Sequence, residues 1–318
     1  MEKQIEINEI VFKELIKRGY SLEGKTRIWN IADSKLWYLT QEQAKTYLNL
    51  ENSERLQKNY FKTELDLISK NISDIRDLIE DKTINIIDLG CGSGKKAARF
   101  IKNLNEKKEF KIRYCPVDIN SNFVSKAIET VRAENPNEII KMQWVVSDFE
   151  NIESISKLLR YKEYQKNVFL LLGNTLENLE IHETLYQIRR AMNDGDILII
   201  GDGLDTKNKE ELLHIYSSEK IEAFLDYIPE ELGFNKKEFK IIREFKNSRV
   251  EISYELKVNK KVIFSNKEIN FNAGDRLLVF FSYKYDKDDM ISFTKMYFDD
   301  VEFFTDKKDS YALIVCKK

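Results

Sequence analysis

The chain has 318 residues, of which 42% are hydrophobic and 33% are charged, and its formal net charge at pH 7 is -2. This composition suits a globular protein with one large core and room for a smaller domain. We expect no membrane span, no secretory leader and no nucleic-acid partner, because long apolar runs and a basic excess are both missing. The three cysteines are widely spaced, which predicts reduced thiols in the cytoplasm and no metal site.

Residues 1–62 are polar and rich in Tyr and Trp, with short helical patterns at Ile10–Lys17 and Gln41–Leu48. From Thr63 to Asp81, apolar residues recur at helical spacing, which predicts a longer helix. We expect residues 1–62 to form an N-terminal segment that packs with a substrate-binding subdomain.

Strands and helices alternate after this helix. Short apolar runs rich in β-branched residues predict buried strands, and amphipathic stretches between them predict helices. The predicted strands are Ile84–Leu89, Phe110–Val117, Ile139–Val146, Asn167–Leu172 and Ile197–Ile200, and the predicted helices are Lys95–Leu104, Asn122–Glu134, Ser154–Tyr161 and Leu179–Met192. Repeated βα units form a parallel sheet with helices on both faces. A helix-like stretch at 286–297 and a closing hairpin at 301–315 predict one reversed strand.

Residues 205–285 have a different pattern. Lys209–Tyr227 predicts a helix, and the period-2 stretches Lys240–Leu256, Lys261–Phe271 and Arg276–Tyr285 predict antiparallel strands. The sequence therefore predicts an α/β protein with a Rossmann-like core of residues 63–204 and 286–318. Residues 205–285 are expected to form an inserted α+β subdomain that acts as a lid or binds the substrate.

A glycine-rich turn, Asp88-Leu89-Gly90-Cys91-Gly92-Ser93-Gly94, follows the first strand of this core. Glycine has no Cβ, so the turn can bend sharply and a ligand can approach the backbone. In doubly wound sheets, ligands bind at the carboxyl ends of the strands. Lys95 and Lys96 follow at a spacing that does not match a P-loop and that weakens a dinucleotide-binding motif.

Acids also end the next two strands. Asp118 ends the second strand and is suited to accept hydrogen bonds from ribose hydroxyls, whereas Asp148-Phe149 after the third strand is suited to hold adenine. Each residue has a simpler interpretation, because an acid after a strand is often a helix cap and a phenylalanine is often core. Together with the glycine turn, the three positions predict a nucleoside cofactor.

These stretches resemble class I S-adenosylmethionine-dependent methyltransferases. In detail the sequence is similar to the family of the ergothioneine-pathway histidine Nα-methyltransferase, which also includes fungal N-methyltransferases of tryptophan derivatives. The resemblance covers most of residues 60–204 and rests on Ile87–Lys96, Tyr114–Asn120, Ser147–Glu150, Phe169–Leu179 and Asp194–Gly201. It implies a mostly parallel seven-stranded sheet with a reversed last strand, S-adenosyl-L-methionine as cofactor, and a small-molecule acceptor that carries an amine.

The resemblance also assigns site residues. It implies that the methionine end of the cofactor is lined by Gly90, Gly92 and Lys96, that Asp118 holds the ribose, that Asp148 and Phe149 hold the adenine, and that Asp88 opens the same motif. On the substrate side it implies an amino-acid head held by Asn178 and Tyr216, with Tyr60 as a second tyrosine from the N-terminal segment and Ser282 from the inserted sheet.

Two departures from the family pattern concern the substrate. Histidine enzymes of this family bind the imidazole through a Glu two residues before a Ser, and here Ser282 is kept but Phe280 replaces the Glu. A phenyl ring accepts no imidazole N–H, and a buried donor without a partner costs about 1–3 kcal/mol. Glu177 also stands where the family commonly has Gly. The resemblance therefore implies N-methylation of a small amine or an α-amino acid other than free histidine.

Two alternatives remain open at this point. One is a methyltransferase that acts on a peptide or a phenolic natural product, and the other is a non-catalytic regulatory protein that binds S-adenosylmethionine. Methyl transfer from a sulfonium needs an aligned nucleophile and no metal, because the cofactor supplies the electrophile. His182 and His214 are therefore expected to be isolated helix residues, placed at the surface or in the core.

Overall fold

A computed structural model of the chain describes residues 7–38, 40–52, 61–135, 140–205, 208–264 and 266–318. The chain divides into two compact units. We call one the insert unit, which consists of Met1–Leu50 and Lys207–Lys284, and the other the core unit, which consists of Glu51–Thr206 and Tyr285–Lys318.

The elements are numbered along the chain. The strands are β1 (Ser21–Glu23), β2 (Thr26–Asn30), β3 (Thr83–Leu89), β4 (Lys111–Asp118), β5 (Ile140–Met142), β6 (Val145–Val146), β7 (Lys166–Leu171), β8 (Ile197–Gly203), β9 (Phe239–Lys246), β10 (Arg249–Leu256), β11 (Lys260–Phe264), β12 (Lys267–Phe271), β13 (Arg276–Tyr283), β14 (Asp300–Thr305) and β15 (Tyr311–Lys317). The helices are α1 (Ile7–Arg18), α2 (Gln41–Glu51), α3 (Lys62–Leu78), α4 (Lys95–Leu104), α5 (Ser121–Glu134), α6 (Ile152–Leu159), α7 (Ile181–Ala191), α8 (Lys209–Ile215), α9 (Glu219–Leu225), α10 (Tyr227–Glu231) and α11 (Lys287–Lys295).

The core unit is built around one sheet with the strand order β14-β15-β8-β7-β3-β4-β5, in which β6 also pairs with β4. The pairs from β8 to β5 and β6 are parallel, whereas β15 is antiparallel to both β8 and β14. With β5 and β6 taken as two pieces of one strand, the sheet has seven positions. The predicted Rossmann-like core with a reversed last strand is therefore confirmed.

Strand order reverses between β3 and β7. From β3 the chain continues to β4 on one side, and it later returns to β7 on the other side of β3. Loops that leave neighbouring strands in opposite directions open a crevice at the carboxyl ends of those strands, where ligands bind in this class of fold. The two loops that border this crevice are residues 90–94 after β3 and residues 172–178 after β7.

One predicted strand of the core is wrong. The prediction of a continuous strand at Ile139–Val146 fails because pairing with β4 stops after Met142 and resumes at Val145. The backbone carbonyl of Tyr114 in β4 accepts a hydrogen bond from the Gln143 N–H at 3.1 Å. The backbone polar groups of Tyr114 therefore face the strand formed by β5 and β6. Two residues further on, Pro116 faces the same side and has no N–H to donate, which interrupts the ladder.

The insert unit contains a sheet with the order β1-β2-β13-β10-β9 and a separate hairpin of β11 and β12. All of its pairs are antiparallel except that of β2 with β13. Its core consists of aliphatic and aromatic side chains from α1, from α8 to α10 and from this sheet. The sequence analysis did not predict β1 or β2.

Two long predicted strands of the insert unit are hairpins. The prediction of one strand at Lys240–Leu256 is wrong, because Asn247 and Ser248 have φ values of 52° and 55° and form a tight turn. The predicted strand Lys261–Phe271 likewise divides into β11 and β12, and Asn266 between them has a φ of 66°. The predicted helix 209–227 is broken into α8, α9 and the start of α10. That residues 205–285 bind substrate or act as a lid stays a prediction.

None of the helices in the described residues is long and apolar enough to cross a bilayer.

Gly94, at the start of α4, supports a stability prediction. Its φ is 73°, and a Cβ there would lie 2.5 Å from Ala127 Cα of α5. Gly94→Ala should lower the free energy of unfolding by about 2–4 kcal/mol, because left-handed strain adds to a backbone clash. Gly195→Ala is a matched control in the same unit, since its φ is 83° and its Cβ meets only the flexible end of Lys166. It should lose about 1 kcal/mol in urea unfolding; equal losses would contradict the packing argument.

Candidate functional site

The turn between β3 and α4 has a left-handed backbone at each of its glycines. Gly90, Gly92 and Gly94 have φ values of 67°, 49° and 73°. The Gly90 N–H donates to Val117 O at 2.9 Å, which joins the turn to the end of β4. A Cβ on Gly90 would lie 3.7 Å from Phe149 Cζ. The glycine turn and the Phe149 ring are therefore neighbours at one edge of the sheet.

Asp118 ends β4 and is 7% exposed. Its carboxylate accepts hydrogen bonds from the Gly92 N–H at 3.4 Å and from the Asn120 N–H at 3.1 Å. Burial raises the pKa of Asp118 to about 6, although these backbone donors oppose the shift. The helix-cap interpretation is wrong for Asp118, because α5 is capped by the Asn120 side chain, which accepts from the Asn122 N–H at 2.9 Å.

Asp148 does act as a cap. Its carboxylate accepts from the Glu150 N–H at 3.1 Å and begins the 3-10 helix Phe149–Asn151. Asp148 and Phe149 are both half-buried, and Phe149 packs on the core that contains Ile87 and Leu89. The adenine-binding role of these two residues stays a prediction.

Asp88 lies beneath the turn and is 5% exposed. Its Oδ2 accepts a hydrogen bond from the Tyr114 hydroxyl at 2.6 Å. Burial raises the pKa of Asp88 to about 7, the Tyr114 hydrogen bond opposes the shift, and the nearby Asp118 charge adds to it. This hydrogen bond joins Asp88, at the end of β3, to Tyr114 of β4.

Lys96 contacts a residue that the sequence analysis missed. Its Nζ lies 2.9 Å from Glu64 Oε2, and the Glu64 side chain is fully buried. Glu64 belongs to α3, where it shares a buried face with Leu67, Ile68, Asn71 and Ile75. The signal in the sequence was an acid at helical spacing from apolar residues that the structure buries, Leu67, Ile68 and Ile75.

The loop after β7 presents Asn178 with a defined orientation. Asn178 Nδ2 donates to Asn174 O at 3.2 Å, and Asn174 is itself held in a left-handed conformation with a φ of 63°. Asn178 Oδ1 is buried and has no hydrogen-bond partner among the described residues. Glu177, next to it, is 5% exposed. The loop therefore offers an amide oxygen that can accept a hydrogen bond.

The residues of the insert unit that are predicted to bind the substrate lie together. The Tyr216 hydroxyl and Ser282 Oγ are 2.7 Å apart and share a buried hydrogen bond. The Phe280 ring lies 5.6 Å from the Tyr216 ring and 4.7 Å from the Trp37 ring, measured between centroids. Phe280 is partly buried and packs against the core of the insert unit.

The other candidates divide as follows. Tyr60 lies outside the described residues, and its role stays a prediction. His182 and His214 are exposed, and His182 lies 3.2 Å from the Tyr297 hydroxyl. Within the described ranges, no group of three or more His, Cys, Asp or Glu side chains is arranged to hold a metal ion.

Comparison with known proteins identifies one family. A family model described as histidine-specific, S-adenosylmethionine-dependent methyltransferase matches residues 53–318. No curated protein matches the sequence.

Solved structures are similar to the chain at low sequence identity. A protein from Pyrococcus horikoshii OT3 is 14% identical with a TM-score of 0.43, and the match covers 87% of this chain and 99% of that one. The CurJ carbon methyltransferase is 13% identical with a TM-score of 0.47, covering 89% of this chain and 60% of that one. A sugar N-methyltransferase from Streptoalloteichus is 7% identical with a TM-score of 0.34, covering 80% and 88%.

The raised pKa of Asp88 predicts a pH dependence of stability. Its pKa is about 7 in the folded chain, against roughly 3.9 in an unfolded one, so stability is lost as pH rises from about 4 to 7. Asp88→Asn should remove this loss and flatten the unfolding free energy by up to about 1.4 kcal/mol per pH unit in that window. Asp118→Asn should flatten a window that ends about one unit lower. Parallel curves for Asp88→Asn and the unmodified protein in urea unfolding would contradict this.

Proposed function

The chain belongs to the family of histidine-specific, S-adenosylmethionine-dependent methyltransferases, and we propose that it methylates the nitrogen of a small amine or an α-amino acid other than free histidine. Its cofactor is S-adenosyl-L-methionine, as in the rest of the family. The observation that carries the proposal on the acceptor is the aromatic surroundings of Phe280, beside the Tyr216–Ser282 hydrogen bond.

The residues of the core unit fit this cofactor. Gly90 and Gly92 place no side chain in the turn, the Phe149 ring lies beside Gly90, and Asp118 is a buried acceptor at the end of the next strand. We assign the ribose hydroxyls to Asp118, the adenine to Asp148 and Phe149, and the methionine end to the turn and Lys96. When bound, the cofactor supplies an electrophilic methyl group on a sulfonium.

Asn178 is suited to orient the acceptor nitrogen. Because its Nδ2 already donates to Asn174 O, its Oδ1 is the atom left to accept a hydrogen bond. An amine N–H that donates to this oxygen fixes the direction of the nitrogen lone pair. A neutral amide cannot remove a proton, so the acceptor must arrive as the free amine.

Phe280 and its neighbours support an apolar or aromatic acceptor side chain. Ser282 and Phe280 are two residues apart on β13 and therefore lie on the same face of the strand. Tyr216 contacts both, through its hydroxyl and through its ring. Polar groups for an amino-acid head thus lie next to aromatic rings that offer apolar area and edge-to-face contacts.

We also propose that the protein acts in the cytoplasm. Cys91, Cys115 and Cys316 are free and buried, which suits a reducing compartment.

The ribose assignment predicts a loss of cofactor affinity. Asp118→Ala should weaken S-adenosylmethionine binding by about tenfold or more in isothermal titration, because a bidentate hydrogen-bonded acid is removed. Asn120→Ala is a matched control, since it removes the cap of α5 at the same loop and keeps the Asp118 carboxylate. The assignment fails if Asp118→Ala binds the cofactor as tightly as the unmodified protein.

The acceptor proposal predicts a substrate preference. In a mass-spectrometric screen of amino acids and amines, methyl gain should be fastest for compounds with apolar or aromatic side chains and slower for histidine. Phe280→Ala should raise the KM of the preferred acceptor by about tenfold, because a buried aromatic contact is lost.

Phe281→Ala is the matched control for this test. Phe281 points to the opposite face of β13, where it packs with Ile28, Ala32 and Leu278. It should lower stability and leave the acceptor KM within about twofold, as expected for a residue outside the pocket. Histidine as the fastest acceptor would refute the specificity proposal.

A further inference from the structure

Glu64 is a fully buried carboxylate that contacts several separate parts of the core unit, including Tyr311 of β15. One oxygen accepts the Gly173 N–H at 2.8 Å, and the other lies 2.9 Å from Lys96 Nζ. A Cβ at Gly201 would overlap the Glu64 carboxylate. Glu64 therefore connects α3 with the start of α4, with the loop that follows β7, and with β8.

The position of Glu64 calls for a reason other than packing. It faces the sheet on the buried side of α3, where a leucine of similar volume would avoid the cost of desolvating a charge. Two glycines make room for these groups: Gly201 for the Glu64 carboxylate and Gly173 for the Lys96 ammonium. Each glycine adds a cost of its own, because glycine loses more conformational entropy on folding than other residues. A buried charge kept in this way points to a task for the charge itself.

Lys96 is the group that this charge controls. Its side chain is 21% exposed, so it is held at the edge of the core and not enclosed in it. Its ammonium lies between the Glu64 carboxylate, Gly173 and the Phe61 ring, whose centroid is 5.8 Å away. Lys96 is the second residue of α4, directly after the glycine turn. Glu64 thus fixes a long flexible side chain at the turn.

We infer that Glu64 is a positioning residue that holds Lys96 in place to bind the carboxylate of the methionine end of the cofactor. The inference rests on the proposed function, which assigns Lys96 to that end. Without Glu64 the ammonium is free to leave the turn, and the charge-assisted hydrogen bond to the cofactor weakens. The contribution should therefore depend on the amino-acid part of the ligand and not on the adenosine part.

Two ligands separate these parts. S-adenosylhomocysteine carries the amino-acid end, whereas 5′-methylthioadenosine has the same adenosine and thioether without it. In isothermal titration of the full chain, Lys96→Met should weaken S-adenosylhomocysteine binding by roughly tenfold and leave 5′-methylthioadenosine within about twofold. Glu64→Gln, which can still accept from the Gly173 N–H, should give the same selectivity with a loss of roughly fivefold.

The double variant distinguishes positioning from direct contact. If Glu64 acts through Lys96, Glu64→Gln combined with Lys96→Met should bind S-adenosylhomocysteine no more weakly than Lys96→Met alone. Additive losses would overturn the inference, because they would mean that Glu64 contacts the ligand independently. Should Glu64→Gln fold poorly, Gly201→Ala displaces the carboxylate without changing a charge and should show the same ligand selectivity.

Arg160→Gln provides the control for stability. Arg160 and Asp196 form another buried ion pair of the core unit, at the amino end of β8. This variant should lower the melting temperature and keep the ratio of the two affinities unchanged. If Lys96→Met leaves S-adenosylhomocysteine binding unchanged, the assignment of Lys96 in the proposed function fails together with the inference. If Lys96→Met is selective and Glu64→Gln is not, the role of Glu64 alone is refuted.

Discussion

Close backbone contact between the glycine turn and helix α5 determines the geometry of the core unit where β3 passes into α4. At Gly94 there is no room for a side chain, because its Cβ would lie 2.5 Å from Ala127 Cα. This contact sets where α4 begins, and Gly90 and Gly92 then reach the end of β4. Lys96, the second residue of α4, lies near Glu64 for the same reason. A wider turn would move the glycines away from the end of β4 and would also move Lys96 away from Glu64.

Three buried carboxylates surround this turn, and each is stabilised differently. Asp118 accepts backbone N–H groups, Asp88 accepts the Tyr114 hydroxyl, and Glu64 has both a backbone donor and a lysine. Burial raises the pKa of Asp88 and of Asp118, because the hydrogen bonds to both carboxylates, and for Asp88 also the Lys96 charge, offset the loss of solvation only in part. Acids of this kind are costly for folding, because burial removes a charged group from water.

The family is described as histidine-specific, and one face of β13 carries both Ser282 and Phe280. Ser282 forms a buried hydroxyl pair with Tyr216, while the Phe280 ring packs at a tilt against the rings of Trp37 and Tyr216. The hydroxyl pair and the aromatic contact involve different residues of one strand face, because alternate residues of a strand share a face. Phe280 can therefore change while Ser282 is kept. The proposed binding of a head group and the proposed selection of a side chain therefore depend on different positions of one strand.

The sequence by itself determined what depends on local pattern. Periodicity located the alternating strands and helices of the core, and the glycine turn with Asp118 at the next strand end predicts the edge at which a nucleoside cofactor binds. Tertiary structure decided what depends on partners far along the chain. Pro116 of β4 separates β5 from β6, because it has no N–H to donate to the strand beside it. In the insert unit, β2 joins the sheet by pairing with β13. Glu64 meets Gly173 across 109 positions. A helix pattern shows that such an acid is present, but only the packed structure supplies the donors that allow it to be buried.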